Sequence, residues 1–185
     1  CGKPATSPVV SQAVDRSRIE RIWIRTPNWL GDFVMATATF ARIRKAFPSA
    51  HVTAGMRPYL RNLASGSDYF DEIVETPKGG GLGGLLRQVR EMKRSRFDLA
   101  IVLPNSPTTG IIPFLARVPL RLGYTQGRPF MMNVGTSADV RRHWWQRREG
   151  PRRHPNPMPD YYHDLLDLIG LPPGGRHPEL AVVEE

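Results

Sequence analysis

Cysteine is almost absent from this chain, with Cys1 the single example. An intrachain disulfide and a cysteine metal cluster are therefore excluded, and such sparse usage fits a reducing compartment. Long apolar runs are missing too. The longest, Ile111-Ile112-Pro113-Phe114-Leu115-Ala116, falls well short of the ~18 residues that mark a membrane-spanning helix. None of the five histidines has a second His or Cys at ligand spacing, so no metal is expected. Lysine is scarce as well. Only four of the 26 basic residues are lysine (Lys3, Lys45, Lys78, Lys93), yet the net charge is +9. A GC-rich coding sequence explains the arginine bias but not the charge. Arginine's planar fork suits phosphate and carboxylate, so nucleic acid, anionic lipid or a phosphorylated substrate are the partner classes left open.

What is present is an ordinary apolar share, 40% of 185 residues, enough for one sizeable core or two small ones. The chain opens on Cys1 rather than Met. It reads either as a piece of a longer chain or as a mature lipoprotein, for which Cys1-Gly2 before a Ser/Thr/Pro stretch is suited. Residues 1–18 lack periodicity and read as a disordered leader.

From residue 21 the pattern becomes α/β. Arg21-Ile22-Trp23-Ile24-Arg25 alternates like a strand. Apolar residues then recur at Phe33, Ala36, Phe40, Ile43 and Phe47, which is helical spacing, stopped by Pro48. Strands follow at 51–56, 72–75, 97–103 and 121–124. A short helix fits 57–65, and longer ones fit about 85–94 and 108–116, the last with Pro113 implying a kink or late start. Strands alternating with helices predict a Rossmann-like, mostly parallel sheet with helices on both faces. The glycine-rich stretch Lys78-Gly79-Gly80-Gly81-Leu82-Gly83-Gly84 lacks the Gly-Lys-Ser/Thr of a phosphate loop and reads as a flexible connection. Arg87, Arg90, Lys93 and Arg94 fall on the wet side of the helix after it. A final helix fits 161–169, stopped by Gly170. The domain then spans 19–171, with 172–185 a linker or tail.

Candidate chemistry gathers after two strands. Pro27-Asn28-Trp29-Leu30-Gly31-Asp32 joins the first strand to its helix, and open α/β sheets bind ligands at such strand ends. Asp32 is either a carboxylate at a helix start, favoured by the dipole and by free amides, or a general base. Spacing alone favours the first. Gly31 lets backbone approach a ligand. Asn105-Ser106 ends the fourth strand, and a parallel sheet can set it beside the first, bringing Asn28, Asp32, Asn105 and Ser106 to one crevice; an ordinary N-cap at Ser106 is the alternative. His143-Trp144-Trp145-Gln146-Arg147-Arg148 reads as a membrane-surface, polyanion or nucleic-acid loop, or as a solvated loop with one packed Trp.

Arg25-Thr26-Pro27-Asn28-Trp29-Leu30-Gly31-Asp32 with Met35-Ala36-Thr37 resembles the N-terminal signature of the ADP-heptose:lipopolysaccharide heptosyltransferases, most closely the heptosyltransferase II branch of glycosyltransferase family 9. Val102-Leu103-Pro104-Asn105-Ser106, Ile112-Pro113-Phe114 and Val118-Pro119-Leu120-Arg121-Leu122-Gly123-Tyr124 continue the likeness, which covers about residues 21–170. The resemblance implies the acceptor-binding, N-terminal half of a GT-B enzyme. It implies inverting, metal-independent transfer of heptose from ADP-L-glycero-D-manno-heptose to the lipopolysaccharide inner core, with no cofactor beyond that donor. It makes Asp32 the catalytic base and Asn28, Trp29, Gly31, Arg57, Asn105 and Ser106 acceptor-binding candidates, with Arg57 leading for a phosphate or sugar-acid carboxylate. It also implies a cytoplasmic protein at the inner-membrane surface. The implied partners are a phosphorylated, lipid-linked core acceptor and a separate donor domain; nucleic acid is not expected. Family members are nearly twice as long, and their donor-binding half is missing here, so the chain alone is expected to be inactive. The competing reading is a non-catalytic α/β module for acidic glycan or lipid; a lipoprotein anchored through Cys1 is a third.

Overall fold

A computed structural model describes residues 15–76, 81–125, 128–135, 158–175 and 177–178. The elements, in chain order, are β1 (Arg21–Arg25), α1 (Leu30–Ala46), β2 (His51–Met56), α2 (Arg61–Ala64), β3 (Glu72–Glu75), α3 (Gly81–Ser95), β4 (Leu99–Val102), α4 (Pro107–Leu115), β5 (Leu120–Gly123) and α5 (Met158–Asp167). Two 3-10 turns, Arg16–Arg18 and Pro58–Leu60, complete them.

The five strands form one sheet in the order β3-β2-β1-β4-β5, every pair parallel. Connection direction reverses between β1 and β4. Alternation along each strand sends side chains to opposite faces. Ile22, Ile24, Leu99 and Ile101 join one core with Phe33, Phe40 and Ile43 of α1 and Leu165 and Leu166 of α5. Trp23, Ala100 and Val102 join a second core with Val89 and Met92 of α3 and Ala116 and Val118. Both sheet faces are thus covered by helices, as parallel sheets require.

Buried Arg42 ties α1 to α5. It meets Asp167 at 2.6 Å, His163 Nδ1 at 3.1 Å, and the carbonyls of Leu171 (2.7 Å) and Pro172 (2.6 Å). Gly170, with φ +68°, closes α5 as a left-handed C-cap.

Several boundaries differ from the sequence reading, among them α5, which runs from Met158 to Asp167 rather than over 161–169, and β4, which is confined to Leu99–Val102 within 97–103. The glycine-rich stretch is helical from Gly81 onward, because α3 packs Val89 and Met92 into the second core and tertiary burial outweighs the poor propensity of Gly83 and Gly84. Helix α4 begins at Pro107, which lacks only an amide that has no helical partner there, and continues through Pro113. Arg16–Arg18 form a turn capped by Asp15 rather than a disordered leader. Residues 1–14, Lys78 to Gly80, and the Trp144-Trp145 stretch lie outside the described residues.

Candidate functional site

Strand order decides where a ligand fits. Because connections leave β1 and β4 in opposite directions, the loops after them diverge and open a crevice at the carboxyl edge of the sheet. Those loops carry Pro27–Trp29 and Pro104–Ser106. Backbone bonds hold the edge: Thr26 N–H donates to the Gly55 carbonyl (3.1 Å) and Leu103 N–H to that of Arg25 (3.2 Å).

A cavity of about 570 Å³ occupies the α3–α4 side of this edge. Its polar wall includes Arg25, Asn28, Arg57, Thr76, Ser106 and Thr108, and its apolar wall includes Trp23, Leu85, Ile112 and Met131. Arg25 is the anchor. Only 5% exposed, it donates from Nη1 to the Gly55 carbonyl (2.8 Å) and to the Thr76 hydroxyl, and from Nη2 to Asn28 Oδ1 (3.0 Å). Burial first, and the neighbouring Arg57 guanidinium second, lower its pKa to about 10. Arg57 is half-buried and donates to the Thr76 carbonyl (2.7 Å). Neither arginine forms an ion pair among the described residues. Two cations in a partly dry cavity repel one another, and an anion between them would relieve both the repulsion and the cost of burial.

Asp32 sits on the other side of the β1 loop. It is the third residue of α1, half-buried, and makes no hydrogen bond or ion pair among the described residues. It is not the N-cap: Trp29 occupies that position, in extended conformation and without a side-chain cap bond. The capping reading therefore fails, although a carboxylate in the first turn still gains from the helix dipole. Asp32's charge reaches Tyr162 of α5. Burial, with Asp32 and Tyr161 adding to it, pushes the Tyr162 phenol up. Tyr161 stacks on Tyr124, ring centroids 3.8 Å apart, and accepts a hydrogen bond from Asn105 Nδ2. Burial drives the Tyr161 phenol up to about 12.

The seven candidates thus divide. Asn28, Arg57 and Ser106 line the basic cavity. Asn105 contacts Tyr161 of α5, and Asp32 acts electrostatically on Tyr162 of the same helix. Trp29 is 77% exposed. Gly31 is exposed, with nothing within 4 Å of where a Cβ would lie. Ser106 takes the N-cap position of α4, but its hydroxyl bonds Thr108 Oγ1 (2.5 Å) instead of capping.

Sequence reasoning missed Arg25 and Arg128. A basic residue ending a strand that feeds a candidate loop was the available signal for Arg25. Arg128 was one of many arginines in its stretch. It is fully buried and donates to the carbonyls of Tyr124 (2.9 Å), Ser106 (2.9 Å) and Pro104 (2.7 Å) and to the Thr109 hydroxyl (3.0 Å), which fixes the loop bearing Asn105 and Ser106. A second hollow of about 660 Å³ lies between Arg16–Arg21 and Ala46–His51, at the amino edge of the sheet, and contains none of the candidates. Among the described residues no cluster of three or more His, Cys, Asp or Glu could hold a metal ion, and no helix is long and apolar enough to cross a membrane.

No family model matches the chain. It is 31% identical over 106 residues to the lipooligosaccharide heptosyltransferase 2 of Haemophilus ducreyi, covering 56% of this chain and 30% of that protein. Over 124 residues it is 29% identical to the lipopolysaccharide heptosyltransferase 2 of Escherichia coli, covering 65% and 34%. The chain is thus similar in sequence to heptosyltransferase 2 proteins over somewhat more than half of its length. It spans about a third of the length of these curated relatives. Its fold matches the solved E. coli ADP-heptose lipopolysaccharide heptosyltransferase II, with a TM-score of 0.59 at 24% identity over 65% of this chain and 36% of that one. It also matches a glycosyltransferase family 9 structure from Veillonella parvula, with a TM-score of 0.61 at 23% identity over 83% and 42%. The heptosyltransferase resemblance and the Rossmann-like fold expected from the sequence are both borne out.

Proposed function

We propose that this chain is the acceptor-binding half of a heptosyltransferase that transfers heptose from ADP-heptose to the lipopolysaccharide inner core. The carrying observation is the pairing of a cavity whose Arg25 and Arg57 have no ion-pair partner among the described residues with an Asp32 carboxylate that makes no hydrogen bond among them, across one loop. Arg25 and Arg57 grip an anionic group of the acceptor, a phosphate or a sugar-acid carboxylate, by charge-assisted hydrogen bonds. Asn28 and Ser106 complete the cradle. Asp32 accepts the proton of the attacking hydroxyl, a task that needs a carboxylate not already engaged by the protein. Transfer further requires the donor held in line with that hydroxyl, which assigns the nucleotide-sugar to a second domain.

Calorimetry with a deacylated inner-core acceptor tests both roles. Arg25→Met and Arg57→Met each weaken acceptor binding by about tenfold or more. Asp32→Asn leaves binding within about twofold but lowers transfer by about 10²–10⁴ in an assay that includes a donor-binding domain. An Asp32→Asn loss of acceptor affinity as large as that of the arginine variants would make Asp32 a binding group instead of a base. Equal affinity for unrelated polyanions would favour a non-catalytic module.

A further inference from the structure

Helix α3 carries a face that the acceptor site does not use. Its inward face packs Leu85, Val89 and Met92 against the sheet. Along its outer side, Leu82, Leu86, Arg90 and Lys93 follow at spacings of four, four and three residues, forming one stripe. Leu82 is 72% and Leu86 52% exposed. Five cations (Arg87, Arg90, Lys93, Arg94, Arg96) face the single acid Glu91 between residues 81 and 96, and only Arg87 pairs with it, at 4.0 Å.

We propose that α3 docks this chain on an anionic phospholipid surface, with Leu82 and Leu86 inserted among the acyl chains and Arg90, Lys93, Arg94 and the following Arg96, which form no ion pair among the described residues, at headgroup level. Two leucines make too little apolar area for a stable protein interface, which buries ~800 Å² per partner. Interface cores also exclude charge, whereas bilayers reward basic residues beside an apolar stripe. Gly81, Leu85 and Gln88 of the same helix line the arginine cavity. A docked α3 therefore sets the cavity mouth at the lipid surface, where a lipid-linked acceptor would enter; this last step rests on the acceptor reading, the docking itself does not.

Cosedimentation of the full chain with 1:1 phosphatidylglycerol/phosphatidylcholine vesicles is the test. Binding is expected to anionic vesicles and not to pure phosphatidylcholine, and to fall in 1 M salt. Leu82→Ser with Leu86→Ser cuts it by about tenfold or more, and each of Arg90→Gln and Lys93→Gln cuts it by about fivefold. A bimane placed through Leu82→Cys in a Cys1→Ser background shifts to the blue on binding. Wild-type binding that is absent, or equal on neutral vesicles, overturns the proposal. So does a double-serine variant that sediments like wild type, or an unshifted bimane. The vesicles contain no glycan acceptor, and the soluble acceptor used with the arginine variants involves no membrane, so the two readings fail separately.

Discussion

Gly55→Ala and Gly83→Ala are the same substitution with opposite expected signs. A Cβ on Gly55 of β2 would lie 2.7 Å from Trp23 Cζ2 and 3.1 Å from Cε2. Ordinary carbon contacts start near 3.5 Å, so the ring must retreat by most of an ångström. It has little room: Trp23 is 4% exposed and boxed in by the second core. Overpacking of this kind costs about 1–3 kcal/mol. For a chain of this size, ~2 kcal/mol lowers Tm by about 4–8 °C. The same strain reaches the site, because Arg25 donates to the Gly55 carbonyl and Trp23 lines the cavity. Gly83 of α3 is exposed with nothing within 4 Å of its would-be Cβ. Alanine there gains helix propensity, about 0.5–1 kcal/mol, and raises Tm by about 1–4 °C. Thermal unfolding by circular dichroism reads both, and Trp fluorescence follows the ring. A Gly55→Ala variant as stable as wild type would refute the packing of Trp23 against β2. A Gly83→Ala loss would refute the open helical position.

Two further outcomes bear on stability. Arg128→Met strips a donor from the buried Tyr124 carbonyl and from the part-buried Ser106 and Pro104 carbonyls while removing a desolvated cation; the net cost is about 1–3 kcal/mol in urea unfolding, and an unchanged midpoint would refute the clamp. Asp71 accepts from Val52 N–H (2.7 Å) and Arg44 (2.6 Å), and although burial pushes its pKa up, these bonds hold it net below the usual carboxylate range. A folded value below the unfolded one means stabilisation that is present above the unfolded pKa and lost as pH falls through the folded one. Solvent screening at this exposed carboxylate keeps the effect small, so Asp71→Ala costs about 0.5–1 kcal/mol at pH 7, and the gap to wild type narrows as the pH drops below about 4.

The sequence by itself determined the order and kind of the elements. Alternation at 21–25 and 3.6-residue spacing from Phe33 are local signals, and they depend only on which side chains must leave water. It also determined that β1 and β4 end in polar loops, and the heptosyltransferase likeness is written in those loops. Tertiary structure decided the rest. Gly81–Gly84 look like a linker in isolation and become helix because α3 has a core to pack against. Asp32 looks like a cap and is not one, because α1 starts two residues earlier. Asn28, Arg57 and Ser106 share a cavity with Arg25, while Asp32 and Asn105 turn to α5, a division set by which side of the loop each backbone position faces. Arg25 and Arg128 read as two arginines among 22. Their burial, and so the electrostatic tension of one and the clamp of the other, exists only once strands and loops distant in sequence close around them, because desolvation is a property of the assembled surroundings and not of the residue.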